Sequence, residues 1–300
     1  MTPELRGHLA MLIFSSLVAG SFSLGSMVAN EIAPEALTAV RFGLAAIVIG
    51  LAAMMTKGLK RQDFAAPWRY LVLGGLFAAY FVLMFYGLKT APPVSAAAVF
   101  TLTPVMSGIV GWFLLRQITT PRMALALAIG GAGALWVIFR ADLAALMEFK
   151  VGQGEIIYFV GCASHAIYTP MVRKLNRGES PVVFTFGTLV AGGVLLTIYG
   201  WNDIRATDWM GLPGIVWIGL AYLVVFATAA SFVLLQFAAM NLPSAKVMAY
   251  TYLVPSWVIL WEIALGNGVP NGLVLVGIVM TVVALVMLLE GSGRAKLQRG

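Results

Sequence analysis

Ten long apolar segments, separated by short polar stretches, run through almost the whole of this sequence. An α-helix needs about 20 mainly apolar residues to cross the hydrocarbon core of a bilayer. The segments that meet this requirement are residues 8–28, 33–55, 69–88, 93–115, 122–140, 152–172, 181–199, 212–237, 244–265 and 271–290. Most begin at or near a residue that starts helices, namely Pro34, Pro92, Pro93, Pro121, Gly152, Pro181, Pro213, Pro243 or Pro270. The sequence therefore predicts an all-α integral membrane protein with ten transmembrane helices.

The composition agrees with a chain that has lipid as its solvent. Charged residues make up 10% of the sequence, whereas a water-soluble domain has about 25%. The net charge of +7 could suggest nucleic acid as a partner, but the basic residues are dispersed at the ends of apolar runs and form no stripe. We therefore expect membrane lipids around the chain and no nucleic acid. The single cysteine, Cys162, rules out an intrachain disulfide and is interpreted as a packing residue.

The basic residues also predict the orientation in the membrane. With the N-terminus inside, the inner ends and loops carry 14 Lys and Arg and the outer ones carry 4, while Arg41 lies within the second helix. The outer four are Lys89, Arg140, Lys150 and Arg205. Because cytoplasmic loops are enriched in Lys and Arg, we expect both termini to be cytoplasmic.

An internal repeat joins the two halves of the chain. Residues 78–104 and 229–255 align without gaps at an offset of 151 and share nine identities, including Pro92 with Pro243 and Pro104 with Pro255. The repeating unit is thus five helices. Since an odd number of crossings reverses orientation, the halves are predicted to be inverted repeats, an architecture typical of secondary transporters.

Short motifs give the chain a family resemblance. They are Gly20-Ser21, the Arg41-Phe42 pair after Leu37, and the run from Gly87 to Pro104 that is echoed from Asn241 to Pro255. With them the chain resembles the ten-helix, EamA-type branch of the drug/metabolite transporter superfamily, and within it the YddG-type aromatic amino acid exporters. A Glu common about a dozen residues after each mid-helix proline in that family is replaced here by Arg116-Gln117 and by Asn267.

The resemblance implies two EamA-type repeats, residues 8–140 and 152–290, around a central cavity lined by helices one, three, four, six, eight and nine. It implies a multi-pass protein of a bacterial inner membrane that exports small metabolites by alternating access. We expect no cofactor, no metal and no obligate protein partner.

Two prolines in the middle of helices are predicted hinges. Pro104 and Pro255 free the carbonyls of Phe100 and Thr251, because proline has no N–H to donate. A freed carbonyl in lipid must face protein or water. One interpretation is a pair of kinked helices lining a watery cavity, and the other is a packing kink satisfied by hydroxyls such as those of Thr101 or Thr103.

Aromatic and polar side chains at mid-depth are the candidate substrate contacts. Intramembrane His usually faces an interior or a cavity, and a Tyr combines a ring with a hydroxyl. The candidates are Tyr80, Phe100, Thr101, His165, Tyr168, Ser231, Tyr250 and Tyr252. The set is neutral and aromatic, which predicts a neutral amino acid with an apolar side chain as substrate. His165 could equally be a neutral core residue that donates to a helix carbonyl.

Two charges, Arg41 and Glu262, are placed in the outer half of the spans. They could pair and close an outer gate, or each could extend its charge to the headgroups. The first helix lacks Asp and Glu, and the sixth has Glu155 near its outer end. We therefore expect facilitative transport. The alternative is proton-coupled antiport, with His165 as the candidate proton carrier.

Two other classes of protein compete with a transporter. An enzyme would need a nucleophile with a base, or metal ligands, clustered at depth, and the sequence predicts no such cluster. Gly130, Gly131 and Gly133 lie inside a helix without the Lys of a phosphate-binding loop, which indicates close helix packing instead. A membrane scaffold without transport is disfavoured by the repeat and the mid-helix prolines.

Overall fold

A computed structural model describes residues 2–56, 58–118, 120–139, 141–147, 151–269 and 271–297, with the backbone alone at 145–146 and 290–297. Lys57, Arg140, Lys150, Arg299 and Pro270, which entered the sequence argument, lie outside the described residues. Ten long helices make up the fold, and no strand occurs in the part of the chain that is described. They are α1 (Pro3–Val28), α2 (Pro34–Met55), α3 (Trp68–Leu88), α4 (Pro93–Leu115), α5 (Pro121–Ile138), α6 (Gln153–Leu175), α7 (Pro181–Tyr199), α8 (Gly214–Asn241), α9 (Ser244–Ala264) and α10 (Gly272–Leu297).

Proline and small hydroxyl residues start these helices. Proline occupies the first turn of α1, α2, α4, α5 and α7, where its missing N–H has no intrahelical partner anyway. Thr2, Thr120 and Ser180 each accept a hydrogen bond from the N–H three residues on. The Thr2 cap explains why α1 begins at Pro3, five residues before the predicted membrane segment.

Nine of these ten helices are long and apolar enough to cross a membrane by their composition. The tenth, α6, has 23 residues, or about 34 Å at ~1.5 Å per residue. It is more polar because it carries Glu155, His165, Arg173 and Lys174. Since α6 packs along α3 inside the bundle, its polar residues need not face lipid. The predicted ten-helix membrane fold is confirmed.

Three helices are interrupted near mid-membrane. In α4 the segments Pro93–Phe100 and Thr103–Leu115 are separated by Thr101 and Leu102. In α9 a 3₁₀ turn, Tyr250–Leu253, precedes Pro255. In α8 a π-helical turn spans Val225–Ala230, which the sequence did not predict, because no proline marks it.

The helix contacts repeat between the two halves of the chain. α3 packs along α6 as α8 packs along α1, and α4 contacts α6 as α9 contacts α1. α2 packs on α7, α5 on α10 and α4 on α9. A shift of five in the helix number converts each contact into another or into itself, which is the pattern of two like halves related by a pseudo-two-fold axis.

Glycines allow the closest helix contacts. A Cβ on Gly133 of α5 would lie 2.7 Å from the carbonyl oxygen of Gly277 of α10. A Cβ on Gly74 of α3 would overlap the backbone of Gly192 of α7. The glycine-rich stretch of α5 therefore packs helices together, as its sequence indicated.

Candidate functional site

A small closed cavity lies where the two halves meet, near the middle of the bundle. Its volume is about 10 Å³, close to the minimum that holds one water molecule. It is lined from α1, α3, α4, α6 and α8 by Phe14, Val18, Ser21, Phe22, Phe77, Tyr80, Phe81, Met84, Phe100, His165, Ala227, Ser231 and Phe232. The resemblance implied α9 as a sixth wall, but α9, described over its whole length, contributes no side chain to this lining.

Four of the eight predicted contact residues come together in this cavity: Tyr80, Phe100, His165 and Ser231. The His165 ring lies edge-on to both aromatic rings, with centroids 4.6 Å from Tyr80 and 5.2 Å from Phe100. Such tilted aromatic contacts are favourable beyond the area they bury. The four residues come from four different helices, so any change in helix packing alters their spacing.

The His165 imidazole is the polar group of the cavity that is left unpaired. His165 is 2% exposed, and no described residue bonds to its Nδ1 atom. A buried nitrogen without a partner is costly, so a ligand that donates to it or accepts from it would remove that cost. The unpartnered Nδ1 atom favours the predicted substrate contact, whereas the alternative, a neutral core His that donates to a helix carbonyl, stays a prediction.

Tyr158 is a residue of the site that the sequence did not predict. Its hydroxyl is 2.9 Å from the hydroxyl of Tyr80, and its ring lies edge-on to Phe22 with centroids 5.9 Å apart. Tyr158 lies in the second turn of α6, near an end of the helix, where aromatic residues are commonly interfacial. Because Tyr158 lies only five residues after the start of α6, nothing in the sequence indicated that it is buried.

Tyr168 and Ser231 have their hydrogen-bonding groups engaged by the protein. The Tyr168 hydroxyl accepts from Gln236 Nε2 at 2.8 Å, and its ring packs on Phe77 with centroids 3.8 Å apart. Ser231 donates to the carbonyl of Ala227 at 2.9 Å. Tyr168 thus lies behind Phe77, outside the lining of the closed cavity.

The other three predicted contacts lie away from the cavity. Thr101 donates to the Ala98 carbonyl at 2.6 Å, and Tyr250 is 3.1 Å from His8 Nδ1 towards the inner end of α1. The Tyr252 ring turns to α5, where a Cβ on Gly130 would overlap it. For Tyr250 and Tyr252 the 3₁₀ turn at Tyr250–Leu253 is the physical reason, because three residues per turn direct their side chains differently from an α-helix.

The carbonyls near the two prolines are satisfied within the protein. The Thr103 hydroxyl donates to the Phe100 carbonyl at 2.6 Å, and the N–H of Val254 donates to the Thr251 carbonyl. Of the two interpretations left open by the sequence, the structure shows the packing kink in this closed arrangement. Thr103 and Thr251 lie 3.4 Å apart, hydroxyl to hydroxyl, so the two interrupted helices touch at their breaks.

Arg41 and Glu262 do not pair. Arg41 donates from Nε to the Thr228 hydroxyl and from Nη2 to the Ala227 carbonyl at 2.8 Å, whereas Glu262 accepts from Asn267 at 2.9 Å. The predicted pairing is wrong because α2 packs on α3, α7 and α8, while α9 packs on α1 and α4. Arg41 is fully buried, so it does not reach the headgroups either.

A second buried arginine was not predicted. Arg69, in the first turn of α3, donates to Glu179 Oε1 at 2.6 Å and to the Leu175 carbonyl at 2.7 Å. Their side chains are 2% and 5% exposed. The sequence does not show which helix end a loop residue such as Glu179 will contact.

A larger groove lies on the lipid-facing side of α4, α5 and α6. Its volume is about 1010 Å³, and its lining includes Ile109, Phe113, Leu135 and Phe159. All of its lining residues are apolar, and several are exposed. A surface without polar groups suits acyl chains and does not suit an amino acid.

The sequence of the chain matches the model of a family described as the EamA-like transporter family, at residues 5–139 and again at 152–290. The two matches together span most of the chain. This chain belongs to the EamA-like transporter family.

Individual relatives of this EamA-like transporter agree with that membership. It is 25% identical to the uncharacterized transporter YyaM of Bacillus subtilis over 88% of this chain and 87% of YyaM. It is 22% identical to an uncharacterized transporter of Archaeoglobus fulgidus, over 92% and 95% of the two chains. The aromatic amino acid exporter YddG of Ancylobacter novellus is 32% identical over 133 residues, 44% of each chain.

One solved crystal structure shares the fold of this EamA-like transporter, with a TM-score of 0.73 and 21% identity over 98% of each chain. The family and the names of the relatives are those of transporters rather than enzymes. Within the described residues, no group of three or more His, Cys, Asp or Glu is placed to hold a metal ion.

Proposed function

We propose that this EamA-like transporter exports neutral amino acids, aromatic ones above all, through the central cavity by alternating access. The observation that carries the proposal is the aromatic cavity where the halves meet, with the unpaired nitrogen of His165 in its wall. Ring faces of Tyr80 and Phe100 suit an apolar side chain, and the imidazole suits a polar end of the same molecule. The name of the Ancylobacter novellus relative supports the same class of substrate.

The closed cavity supports alternating access. At about 10 Å³ it is smaller than any amino acid, so this arrangement fits the closed stage between an inward and an outward opening. The repeated helix contacts and the two family matches support inverted repeats at residues 8–140 and 152–290. Breaks at Pro104 and Pro255 are the proposed hinges, since few backbone bonds hold each helix straight there.

The proposed transport is facilitative. None of the residues that line the closed cavity is a carboxylate. We expect phenylalanine flux in proteoliposomes to persist after an uncoupler collapses the pH gradient. Concentrative transport driven by a pH gradient alone, and lost in His165→Ala, would favour proton antiport through the imidazole instead.

The proposed location is a bacterial inner membrane, with both termini cytoplasmic, as the loop charges predict. The test uses single cysteines introduced at Asp142 and Arg294. Cys162 is fully buried, and its replacement by serine gives a background without thiols. An impermeant reagent on intact cells should label position 142 and not position 294, and the reverse pattern would contradict the orientation.

Substrate flux in proteoliposomes tests the function itself. Phenylalanine, tryptophan and methionine should cross faster than lysine or glutamate. Tyr80→Phe and His165→Ala should lower phenylalanine flux, while Tyr252→Phe is the matched control, because the Tyr252 ring turns away from the cavity. Equal rates for lysine and phenylalanine, or a folded His165→Ala with unchanged flux, would overturn the proposal.

A further inference from the structure

Arg41 is a fully buried cation in the interior of the bundle, next to the central cavity. Its Nε donates to the hydroxyl of Thr228 and its Nη2 to the carbonyl of Ala227 at 2.8 Å. Both acceptors belong to the π-helical turn of α8. A π turn displaces the carbonyls from the α-helical bonding pattern and is frequent at functional sites, so this turn is shaped around the guanidinium.

The charge of Arg41 is not balanced by a carboxylate from the described part of the chain. Across the described residues, no carboxylate comes within ion-pair distance of the guanidinium. Its Nη1 is buried and bonds to no described residue. The guanidinium also lies over the face of Phe81, with 3.9 Å from its carbon to the ring centroid. A buried charge within a membrane protein is expensive and usually marks a functional group with a partner.

One layer of side chains separates this charge from the cavity. Phe81 and Ala227, which touch the guanidinium, both line the cavity. Phe81 is stacked on Phe232, its repeat equivalent at the offset of 151, with centroids 5.8 Å apart and an interplanar angle of 10°. The ring that covers Arg41 therefore belongs to the contact that keeps the two halves together when the cavity is closed.

We propose that Arg41 is the counter-ion for the carboxylate of the transported molecule, and that Phe81 moves aside when the halves separate. The inference rests on the proposed function and adds a substrate class to it: a monocarboxylate with an aromatic or apolar body. The free Nη1 and the second N–H of Nη2 form the fork that binds a carboxylate with two parallel hydrogen bonds. The aromatic body then lies against Tyr80, Phe100 and His165.

This placement explains why the protein keeps a charge that it does not pair internally. In this closed arrangement the guanidinium is held by a hydroxyl, a carbonyl and a ring, which leave donors available. A resident carboxylate would occupy those donors and compete with the substrate. The same arrangement predicts discrimination against molecules that lack a carboxylate, because these leave the buried charge unpaired.

The experiment measures binding and flux for phenylalanine, phenylalaninamide and 3-phenylpropanoate on the full-length protein. The amide lacks the carboxylate, and the propanoate lacks the amine. We expect the wild type to bind phenylalanine at least tenfold more tightly than phenylalaninamide, and 3-phenylpropanoate more tightly than the amide. Arg41→Gln should weaken phenylalanine binding at least tenfold and remove the preference over the amide, whereas Arg41→Lys should retain part of it.

Controls separate the possible failures. Arg173→Gln removes an exposed basic residue at the inner end of α6 and should leave the preference unchanged. Thermal unfolding establishes that each variant is folded, and Arg41→Met gives a second variant if Arg41→Gln is not. A folded Arg41 variant that still prefers phenylalanine over its amide overturns the role of Arg41 and leaves the proposed function standing. A wild type that neither binds nor transports any of the three compounds, or other amino acids, overturns both.

Discussion

Arg69 and Arg41 are both buried guanidiniums, but the protein surrounds them differently. Arg69 lies in the first turn of α3 and is paired with Glu179 at 2.6 Å, with further bonds to the carbonyls of Leu175 and Ala66. Arg41 lies within α2, bonded to Thr228 and Ala227, and keeps an unpaired Nη1. One charge is neutralised by the chain itself, and the other is not.

The difference indicates what each residue does. Arg69 joins the start of α3 to the connection between α6 and α7, so its pairing stabilises one arrangement of the two halves. Arg41 would gain little from a structural role, because an unpaired buried charge costs more than its hydrogen bonds return. The comparison therefore supports a stabilising role for the first arginine and the proposed ligand binding for the second.

Replacing Arg69 should have the largest effect on stability. Arg69→Met leaves the buried carboxylate of Glu179 without its cation, and removing one partner of a buried ion pair costs about 3–5 kcal/mol. Chemical unfolding in detergent micelles measures the loss of unfolding free energy. The surviving folded fraction should keep the preference for phenylalanine over its amide. A stability equal to that of the wild type would contradict a structural role for the pair.

Replacing Arg41 should change stability in the opposite direction. Arg41→Met exchanges an unpaired charge for an apolar side chain of similar length, a type of change that can raise stability by about 1–4 kcal/mol. The Ala227 carbonyl keeps its bond from Ser231, so no acceptor there is left without a donor. Stability should rise or stay level in the same unfolding measurement, while phenylalanine flux falls. A loss of unfolding free energy as large as that of Arg69→Met would show that both arginines stabilise the fold.

A smaller effect should depend on pH and belong to the Arg69 pair alone. Burial acts to raise the pKa of Glu179, but hydrogen bonds from Arg69 and from the N–H of Arg177 outweigh it and hold that pKa below its usual value of 4.5. The folded-state pKa is therefore lower than the unfolded one. Its contribution to stability is complete above about pH 4.5 and is lost as the pH falls through the folded-state pKa.

The matched variant for this prediction is Glu179→Gln. At neutral pH it should lower the unfolding free energy by about 1 kcal/mol, the difference between a charged and a neutral hydrogen bond. Below pH 4.5 the unfolding free energy of the wild type should approach that of Glu179→Gln, because the carboxylate of Glu179 becomes protonated. If the difference in unfolding free energy between the wild type and Glu179→Gln stayed constant down to the lowest pH measured, the pKa of Glu179 would not change on folding, and the prediction would be wrong.

Much of the fold could be predicted because membrane insertion depends on properties that a sequence displays directly. Apolar length and helix-starting prolines placed α4 and α7 at their observed bounds, 93–115 and 181–199. The ends of these two helices depend on where the apolar run stops and on proline at the first turn. Both features can be read from the residues at the helix ends themselves. The repeat of Pro92 and Pro104 further along the chain gave the five-helix unit for the same reason.

The candidate site was harder to predict because it depends on helix rotation and on partners that are distant in sequence. Tyr252 was assigned to the cavity from its depth along the helix, but the 3₁₀ turn at Tyr250–Leu253 rotates it towards α5. The bond from Arg41 to Thr228 joins residues 187 positions apart. Depth along a helix can be counted from its start, whereas the neighbour at that depth is decided by packing.

The smallest expected effect concerns Ser231, which the sequence placed among the substrate contacts. Its hydroxyl hydrogen is directed to the Ala227 carbonyl at 2.9 Å, the same oxygen that accepts from Arg41. Ser231→Ala should therefore lower the unfolding free energy by less than about 1 kcal/mol, because that carbonyl keeps the stronger, charged donor. Phenylalanine binding should also change little, since the Arg41 fork is untouched. Calorimetric binding and flux measurements on Ser231→Ala, beside Arg41→Gln, check this. A loss of affinity in Ser231→Ala as large as that in Arg41→Gln would mean that the substrate bonds directly to the hydroxyl, and that the carbonyl it shares with Arg41 is released when the cavity opens.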